Sequence, residues 1–310
     1  MTRPWTVPLR VASAAVLMCG ALSVVLVSGQ ADQNKPDFER GVLPSRWTAA
    51  KPDCPGAPPF IAHDYNATFV ILRQSGCTDF EKPFLYLILG SRQALLVDTG
   101  APGADVSGLV TDLVRRHSER QGAAPLQLVV VHSHGHSDHT AGDKAFSGKP
   151  GVRVINATPE ALAEFFTIKK WPSEIAQYDL GDRIVDIIPI PGHQPASIAI
   201  YDRRTKILLT GDTLYPGRLY VRDAQAFGDS INRLVEFTAT REVVHVLGAH
   251  IENMSTPYLD YPEGTTFQPE EHPLELGRSH LLELQDALRQ MGSQLQRRSL
   301  RDFTIWPVVR

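Results

Sequence analysis

The chain has 310 residues, enough for one large domain or two small ones, and its 43% hydrophobic and 21% charged content excludes a wholly disordered polypeptide. With 31 basic against 34 acidic side chains the formal charge is −3, so no basic field points to nucleic acid as a partner. Three cysteines are too few for a disulfide-built mini-fold and lack zinc-finger spacing.

The first 31 residues read as a secretory signal or a retained N-terminal membrane anchor. Arg3 and Arg10 precede an apolar run, Val11 to Val27, and small residues follow at Ser28 to Ala31. The body of the protein is then expected outside the cytoplasm, periplasmic or secreted. Residues 32–60 carry six prolines and little apolar periodicity, the pattern of an extended arm. In an exported chain Cys54 and Cys77 either bridge or stay as two unpaired buried thiols, because sequence does not supply their separation.

From residue 61 to 310 the pattern is that of one α/β domain. Strands are predicted over Tyr65–Leu72, Phe84–Leu89, Ala94–Val97 and Leu126–Val131, with a helix over Ala104–Glu119 whose Val106, Leu109, Val110, Leu113 and Val114 share one face. A strand at Val152–Ile155 precedes a helix capped by Thr158 with Pro159 in its first turn. Strands at Ile184–Ile190, Ser197–Tyr201, Lys206–Thr210 and Val243–Leu247 interleave with helices at Ser230–Phe237 and Gly277–Met291. Such alternation places helices over sheet faces.

One short stretch concentrates the chemistry: His132-Ser133-His134-Gly135-His136-Ser137-Asp138-His139, directly after an apolar strand. His134 and His136, two apart on extended backbone, point to one side and can share a cation; Asp138 and His139, where the chain turns toward a helix, can face a second centre. His132 falls outside this spacing and reads as packing or as support for a ligand.

The pattern His134-Gly-His136-Ser-Asp138-His139 resembles the signature of the metallo-β-lactamase fold superfamily. Four further elements of that pattern occur in order, each near the end of an apolar strand: Asp98 in Val97-Asp98-Thr99-Gly100, His193 in Pro191-Gly192-His193, Asp212 in Gly211-Asp212-Thr213, and His250 in Gly248-Ala249-His250. The resemblance covers roughly residues 65 to 255. It implies a four-layer αββα sandwich. It also implies two divalent ions, Zn2+ in preference to Mn or Fe, the first held by His134, His136 and His193 and the second by Asp138, His139 and His250. Asp212 would bridge them. Asp98 would orient a ligand by hydrogen bonding, or else cap a turn.

On this reading the expected activity is that of an exported dinuclear hydrolase, with Asp138 and Asp212 at the reacting centre. A metal-bridging hydroxide would attack an activated ester, thioester, lactone or lactam of a small-molecule substrate. A bridging aspartate is the pattern of thioesterases and lactonases in the superfamily rather than of true β-lactamases. Only 60 residues follow His250, with one clear helix, which argues against glyoxalase II with its glutathione-binding helical domain. The alternatives are a non-catalytic metal- or ligand-binding protein of the same fold, and an iron-dependent redox member. Candidate substrate contacts are Trp171 with Lys169 and Lys170, Tyr215 and Tyr220 with the residues between them, and the stretch Asn253 to Glu275.

Overall fold

The structure, a computed structural model, describes residues 1–2, 38–47, 54–292 and 294–308. The chain divides into two compact units, Met1–Pro36 and Asp37–Arg310, and every element below belongs to the second. The apolar run at Val11 to Val27, expected as signal or anchor, lies outside the described residues. Among the described residues no helix is long and apolar enough to cross a membrane.

Two six-stranded sheets form the body. In the first, β1 (Phe60–Asn66), β2 (Phe69–Gln74), β3 (Phe84–Leu89), β4 (Gln93–Val97), β5 (Gln127–Val131) and β6 (Val152–Val154) lie side by side in chain order. The first four run antiparallel to their neighbours, whereas β4, β5 and β6 are mutually parallel. Between β4 and β5 runs α1 (Ser107–Gln121); α2 (Ser137–Thr140) and α3 (Asp143–Phe146) separate β5 from β6, and α4 (Pro159–Phe166) follows. The second sheet holds β7 (Ala176–Asp179), β8 (Ile184–Pro189), β9 (Ile198–Asp202), β10 (Ile207–Gly211), β12 (His245–Gly248) and β13 (Glu275–Leu276), in the order β13-β12-β10-β9-β8-β7. Within it, β10 and β12 are the parallel pair.

Alternation along the strands sorts the apolar side chains into three cores. Ile71, Tyr86, Leu95, Val97, Val129 and Val131 of the first sheet meet Ile187, Ile198, Ile200, Leu209 and Leu247 of the second. Their neighbours Leu72, Leu85, Leu87, Leu96 and Val130 point outward onto Val106, Val110 and Val114 of α1 and its N-terminal approach. On the far side, Leu208 and Val246 face α5 (Ala224–Phe237) and α6 (Arg278–Met291) through Phe227, Ile231, Leu234, Leu281 and Leu284. The result is the expected αββα order of layers.

Three features differ from the sequence reading. The single strand expected at Tyr65–Leu72 is a hairpin, β1 and β2, that turns at Ala67-Thr68 on a side-chain bond from Thr68 N to Asn66 Oδ1 (2.9 Å), with no glycine or proline to announce it. Helix α5 begins six residues before Ser230, capped by Asp223, whose Oδ1 accepts from Ala226 N at 3.0 Å. The C-terminal residues also build a third sheet, in which β11 (Arg218–Val221) pairs in parallel with β15 (Thr304–Pro307) and β14 (Arg298–Ser299) lies beyond. Cys54 and Cys77 are joined in a disulfide, which ties the arm to the segment leading into β3.

One buried ion pair staples the two sheets. Arg183 donates from Nε and Nη2 to Asp202 at 2.8 and 2.5 Å, and from Nη1 to the carbonyls of Thr68 and Leu89 at 2.8 and 3.1 Å. Burial would raise the Asp202 carboxyl, but the Arg183 guanidinium and the Thr205 donors hold it below the usual range. Replacing Arg183 with Met leaves that carboxylate buried and unpaired, and urea unfolding at pH 7 should show a loss of about 3–5 kcal/mol. Because the folded-state pKa of Asp202 is depressed, its contribution is present above the ordinary carboxylate value of about 3.9 and fades as pH falls. The gap between variant and wild type should therefore narrow on acidification; a gap below about 1 kcal/mol at pH 7 would contradict the staple.

Candidate metal centre

Each sheet ends its parallel pair at the same rim of the sandwich. Asp98 follows β4, His134 to His139 follow β5, Asp212 follows β10 and His250 follows β12, while His193 comes from the turn between β8 and β9. Two of these positions demand special backbone. Asp98 is left-handed, with φ 70°, a conformation that Asp tolerates better than most residues. Gly211, with φ 50°, sits where a Cβ would lie 2.7 Å from Cβ of Ser133, so the step into Asp212 excludes a side chain there.

The converging atoms form two groups that share one residue: His134, His136, His193 and Asp212, and Asp138, His139, Asp212 and His250. In the first, His134 Nε2 lies 2.8 Å from His136 Nδ1, and His193 Nε2 lies 3.2 and 3.1 Å from those two atoms. Asp212 Oδ2 stands 3.7 and 3.6 Å from His134 Nε2 and His193 Nε2. In the second, Asp138 Oδ2 is 3.0 Å from His139 Nε2 and 3.3 Å from His250 Nε2, while Asp212 Oδ1 is 3.5 and 3.4 Å from the same nitrogens.

Tetrahedral coordination at about 2.0–2.2 Å requires ligand–ligand edges of about 3.3–3.6 Å. The edges to Asp212, 3.4–3.7 Å, are close to that length, and the imidazole edges of the first group, 2.8–3.2 Å, are shorter. Three imidazole nitrogens facing one point cannot all be satisfied by hydrogen bonds to each other. Asp212 Oδ1 is buried and has no hydrogen-bond partner. Both observations fit cations between the donors.

Three of the histidines have their other ring nitrogen occupied on the outer side. His139 Nδ1 bonds Asp98 Oδ2 at 2.8 Å, His193 Nδ1 bonds the Tyr220 carbonyl at 2.8 Å, and His250 Nδ1 bonds the Glu81 carbonyl at 2.9 Å. Each bond aims Nε2 inward. Asp98 is itself fixed by Ser133, whose N and Oγ donate to its two oxygens at 2.7 and 2.8 Å. His132, beside the site, lies with Nε2 3.2 Å from Asp143 Oδ2 and takes no place in either group.

Electrostatics separates the two groups. Burial pushes His134, His136 and His193 down, toward the neutral form, and neighbouring imidazoles add to it. Burial also opposes ionisation of Asp138 and Asp212, but the facing imidazoles of His139 and His250 hold both carboxyls well below the usual range. Conversely, burial disfavours a charged His250, yet Asp212 and Asp138 push it up to about 10, and Asp98 and Asp138 raise His139 likewise. Two ionised carboxylates in a buried pocket thus call for positive charge between them.

A cavity of about 190 Å³ opens onto both groups through His136, Asp138, His193, Asp212 and His250. Tyr215 and Tyr220 line it, as does the loop from Pro262 to Gln268 within the expected Asn253–Glu275 stretch. Tyr215, however, is committed: its hydroxyl donates to the Arg218 carbonyl at 2.5 Å and its ring packs 5.6 Å from that of His250. Trp171 is not in the cavity wall. It packs against the core between the sheets, and the backbone of Lys169 and Lys170 folds onto Glu174. Sequence reasoning missed Phe80, Glu81 and Lys82, which form one wall ahead of β3, and Arg222 at the rim. Burial, with Arg73 nearby, lowers the Lys82 ammonium to about 8, and its Nζ donates to the Thr265 carbonyl at 2.6 Å.

Fold and donor set are those of metallo-hydrolases, and residues 79–243 match the family model described as the metallo-beta-lactamase superfamily. The chain belongs to that superfamily. Among its relatives is the acyl-coenzyme A thioesterase MBLAC2 of Bos taurus, 28% identical over 213 residues that cover 56% of this chain and 75% of the relative. The hydroxyacylglutathione hydrolase of Anaeromyxobacter dehalogenans is 30% identical over 138 residues, 43% of this chain and 46% of that protein. Among solved structures, a metallo-beta-lactamase from Pontibacter korlensis aligns with a TM-score of 0.49 at 17% identity, over 74% of this chain and 99% of that one.

Asp98 belongs to neither donor group and meets the site through His139 Nδ1, backed by Ser133. Replacing it with Ala should weaken affinity for Zn2+ or Co2+ by about 10–100-fold, measured by competition with a chromogenic chelator, while the circular dichroism spectrum is kept. Unchanged affinity would remove its orienting role.

Proposed function

We propose that the protein is an exported, dinuclear metal-dependent hydrolase acting on thioesters of small molecules. The observation that carries this reading is Asp212, which turns Oδ2 toward His134 and His193 and Oδ1 toward His139 and His250. A carboxylate split in this way is suited to two ions rather than one. His134, His136 and His193 would hold the first and Asp138, His139 and His250 the second, with Zn2+ favoured by a set of imidazoles and carboxylates. Bound there, the ions would supply Lewis acidity, lowering the pKa of water toward roughly 7 and polarising a carbonyl oxygen.

The chain's own residues set the rest. The first three imidazoles, kept neutral by burial, offer lone pairs. Asp138, kept ionised, turns Oδ2 to His139 and His250, and a carboxylate there can accept a hydrogen bond from water and orient it. Phe80 and Ile251 add apolar surface to a wall that is otherwise mostly polar. Tyr220 keeps its carbonyl on His193 and lines the cavity, with its hydroxyl hydrogen-bonded to the Arg218 guanidinium. Thioesters are favoured over lactams because two relatives carry the names of thioesterases acting on acyl-coenzyme A and on hydroxyacylglutathione. Export is supported by the uncharged apolar run after Arg10 and by the Cys54–Cys77 disulfide, a bond that persists in oxidising compartments.

Metal analysis of protein purified without chelator should approach two divalent ions per chain. Of a panel comprising thioesters, p-nitrophenyl esters, lactones, nitrocefin and bis-p-nitrophenyl phosphate, the thioesters should turn over best, and activity removed by chelation should return with Zn2+. Metal-replete protein inactive on the whole panel would overturn the proposal in favour of a binding protein. Asp212→Ala should lose one ion and reduce kcat by roughly 10²–10³-fold, the scale for removing one electrostatic partner of a reacting centre. A variant with full turnover would refute the bridge.

A further inference from the structure

Three cations line the cavity, and two of them are already engaged. Arg218 donates to Asp260 Oδ2 at 2.7 Å, to the Tyr261 carbonyl at 2.9 Å and to Glu252 Oε1 at 3.1 Å. Lys82 is buried and tied to the carbonyls of Phe80 and Thr265. Arg222 differs: its side chain is exposed, and among the described residues no carboxylate or carbonyl pairs with its guanidinium. The neighbouring acid, Asp223, is turned the other way, capping α5 through Ala226 N.

Its place is nonetheless fixed. The backbone N–H groups of Arg222 and Asp223 both donate to the Gly192 carbonyl, at 3.0 and 2.9 Å. Gly192 in turn has φ 140°, and a Cβ there would lie 2.4 Å from Cα of Phe227 in α5, so the turn that carries His193 is clamped between this segment and the helix. On its other side β11 is held by parallel pairing with β15. A guanidinium with unspent donors is therefore anchored one residue from β11, at the rim beside His136 and His193, and electrostatically within reach of both imidazoles.

We infer that Arg222 is an anion subsite adjoining the metal centre, and that the substrate of this hydrolase carries a carboxylate or phosphate group close to its scissile thioester. The planar fork of Arg binds either group with two parallel N–H···O bonds, and at a half-open rim such bonds contribute to binding without displacing an internal partner. The carboxylates also lining the cavity do not oppose this. Glu252 is neutralised by Arg218, Asp138 and Asp212 belong to the donor groups, and Glu81 lies on the wall with Lys82. Glu263, on the Pro262–Gln268 loop, is exposed to solvent, which screens its charge.

The identity of the substrate rests on the hydrolase reading; the anion site does not, and the experiment separates them. Metal-loaded wild type, R222Q and R222K are compared on acetyl thioesters of a neutral thiol, a mercaptocarboxylate and a mercaptoalkyl phosphate, with a succinyl thioester of the neutral thiol as the acyl-side arm. Binding of the matching thioethers, which cannot be hydrolysed, is followed in parallel by calorimetry. Wild type should favour at least one charged member by about tenfold in kcat/KM, through KM rather than kcat, and should bind its thioether correspondingly tighter. R222Q should lose that preference while neutral members stay within about twofold, and R222K should keep part of it. Added salt should shrink the preference in wild type alone. Equal dissociation constants for charged thioethers in wild type and R222Q would overturn the inference. A preserved difference in binding without turnover on any thioester would uphold the subsite and remove the hydrolase.

Discussion

Two carboxylates ionised inside a protein must be met by positive charge, and this constraint organises the whole rim. Asp212, buried, and Asp138, half-buried, sit among five imidazoles, where a lone carboxylate would be disfavoured. Their charge forces protons or cations into the second group, while the first group, short of carboxylates, is pressed toward neutrality by burial. A single residue reconciles the two. Asp212 gives one oxygen to each, so that charge placed in either group is felt by the other.

The fold delivers this arrangement by geometry rather than by local preference. Strand ends from two different sheets can face each other only if the sheets pack with their parallel pairs, β4–β5 and β10–β12, ending at the same rim. The interior core of aliphatic side chains sets that alignment, and the Arg183–Asp202 staple ties the two sheets through the Thr68 and Leu89 carbonyls. Three of the five converging histidines are then held in place by a partner from elsewhere in the chain: His139 by Asp98 after β4, His250 by Glu81 ahead of β3, and His193 by Tyr220 in β11. The donors are local in space and remote in sequence.

That distinction marks what could be read from the sequence. His134, His136, Asp138 and His139 announce themselves because four donors fall within six positions after an apolar strand. His193, Asp212 and His250 were legible only through the family resemblance, whose later elements they match in order. The α/β alternation followed from short apolar runs, since central strands such as β2, β3, β9 and β10 bury both faces, and from the 3.6-residue period of the outer helices, while the four-layer order came from the family resemblance. The Ala67-Thr68 turn was not legible, because an Asn side chain bonding forward does the work that Gly or Pro would signal. Nor was the third sheet: β14 has two residues and β11 and β15 four each, too short for periodicity, and their pairing joins positions more than eighty residues apart. Trp171 was expected among the loops around the metals; in the fold it is partly buried and packs against the core between the sheets.

The third sheet matters most for specificity. Strand β11 has two duties: its Tyr220 carbonyl orients His193, and its side chains form a wall of the cavity. These duties would conflict if the wall could be changed only by moving the strand. They are separated by where the side chains point. Arg218 is buried in a network with Glu252, Asp260 and the Tyr261 carbonyl, so its replacement would leave carboxylates unpaired and shift the strand with its ligand. Arg222 lies just past the strand and is anchored by backbone bonds that any residue other than proline can make. Its side chain holds nothing in place, and can be exchanged without moving His193. A rim position with a fixed backbone and an unengaged side chain is where the charge of a substrate can be selected while the donor groups beneath remain undisturbed.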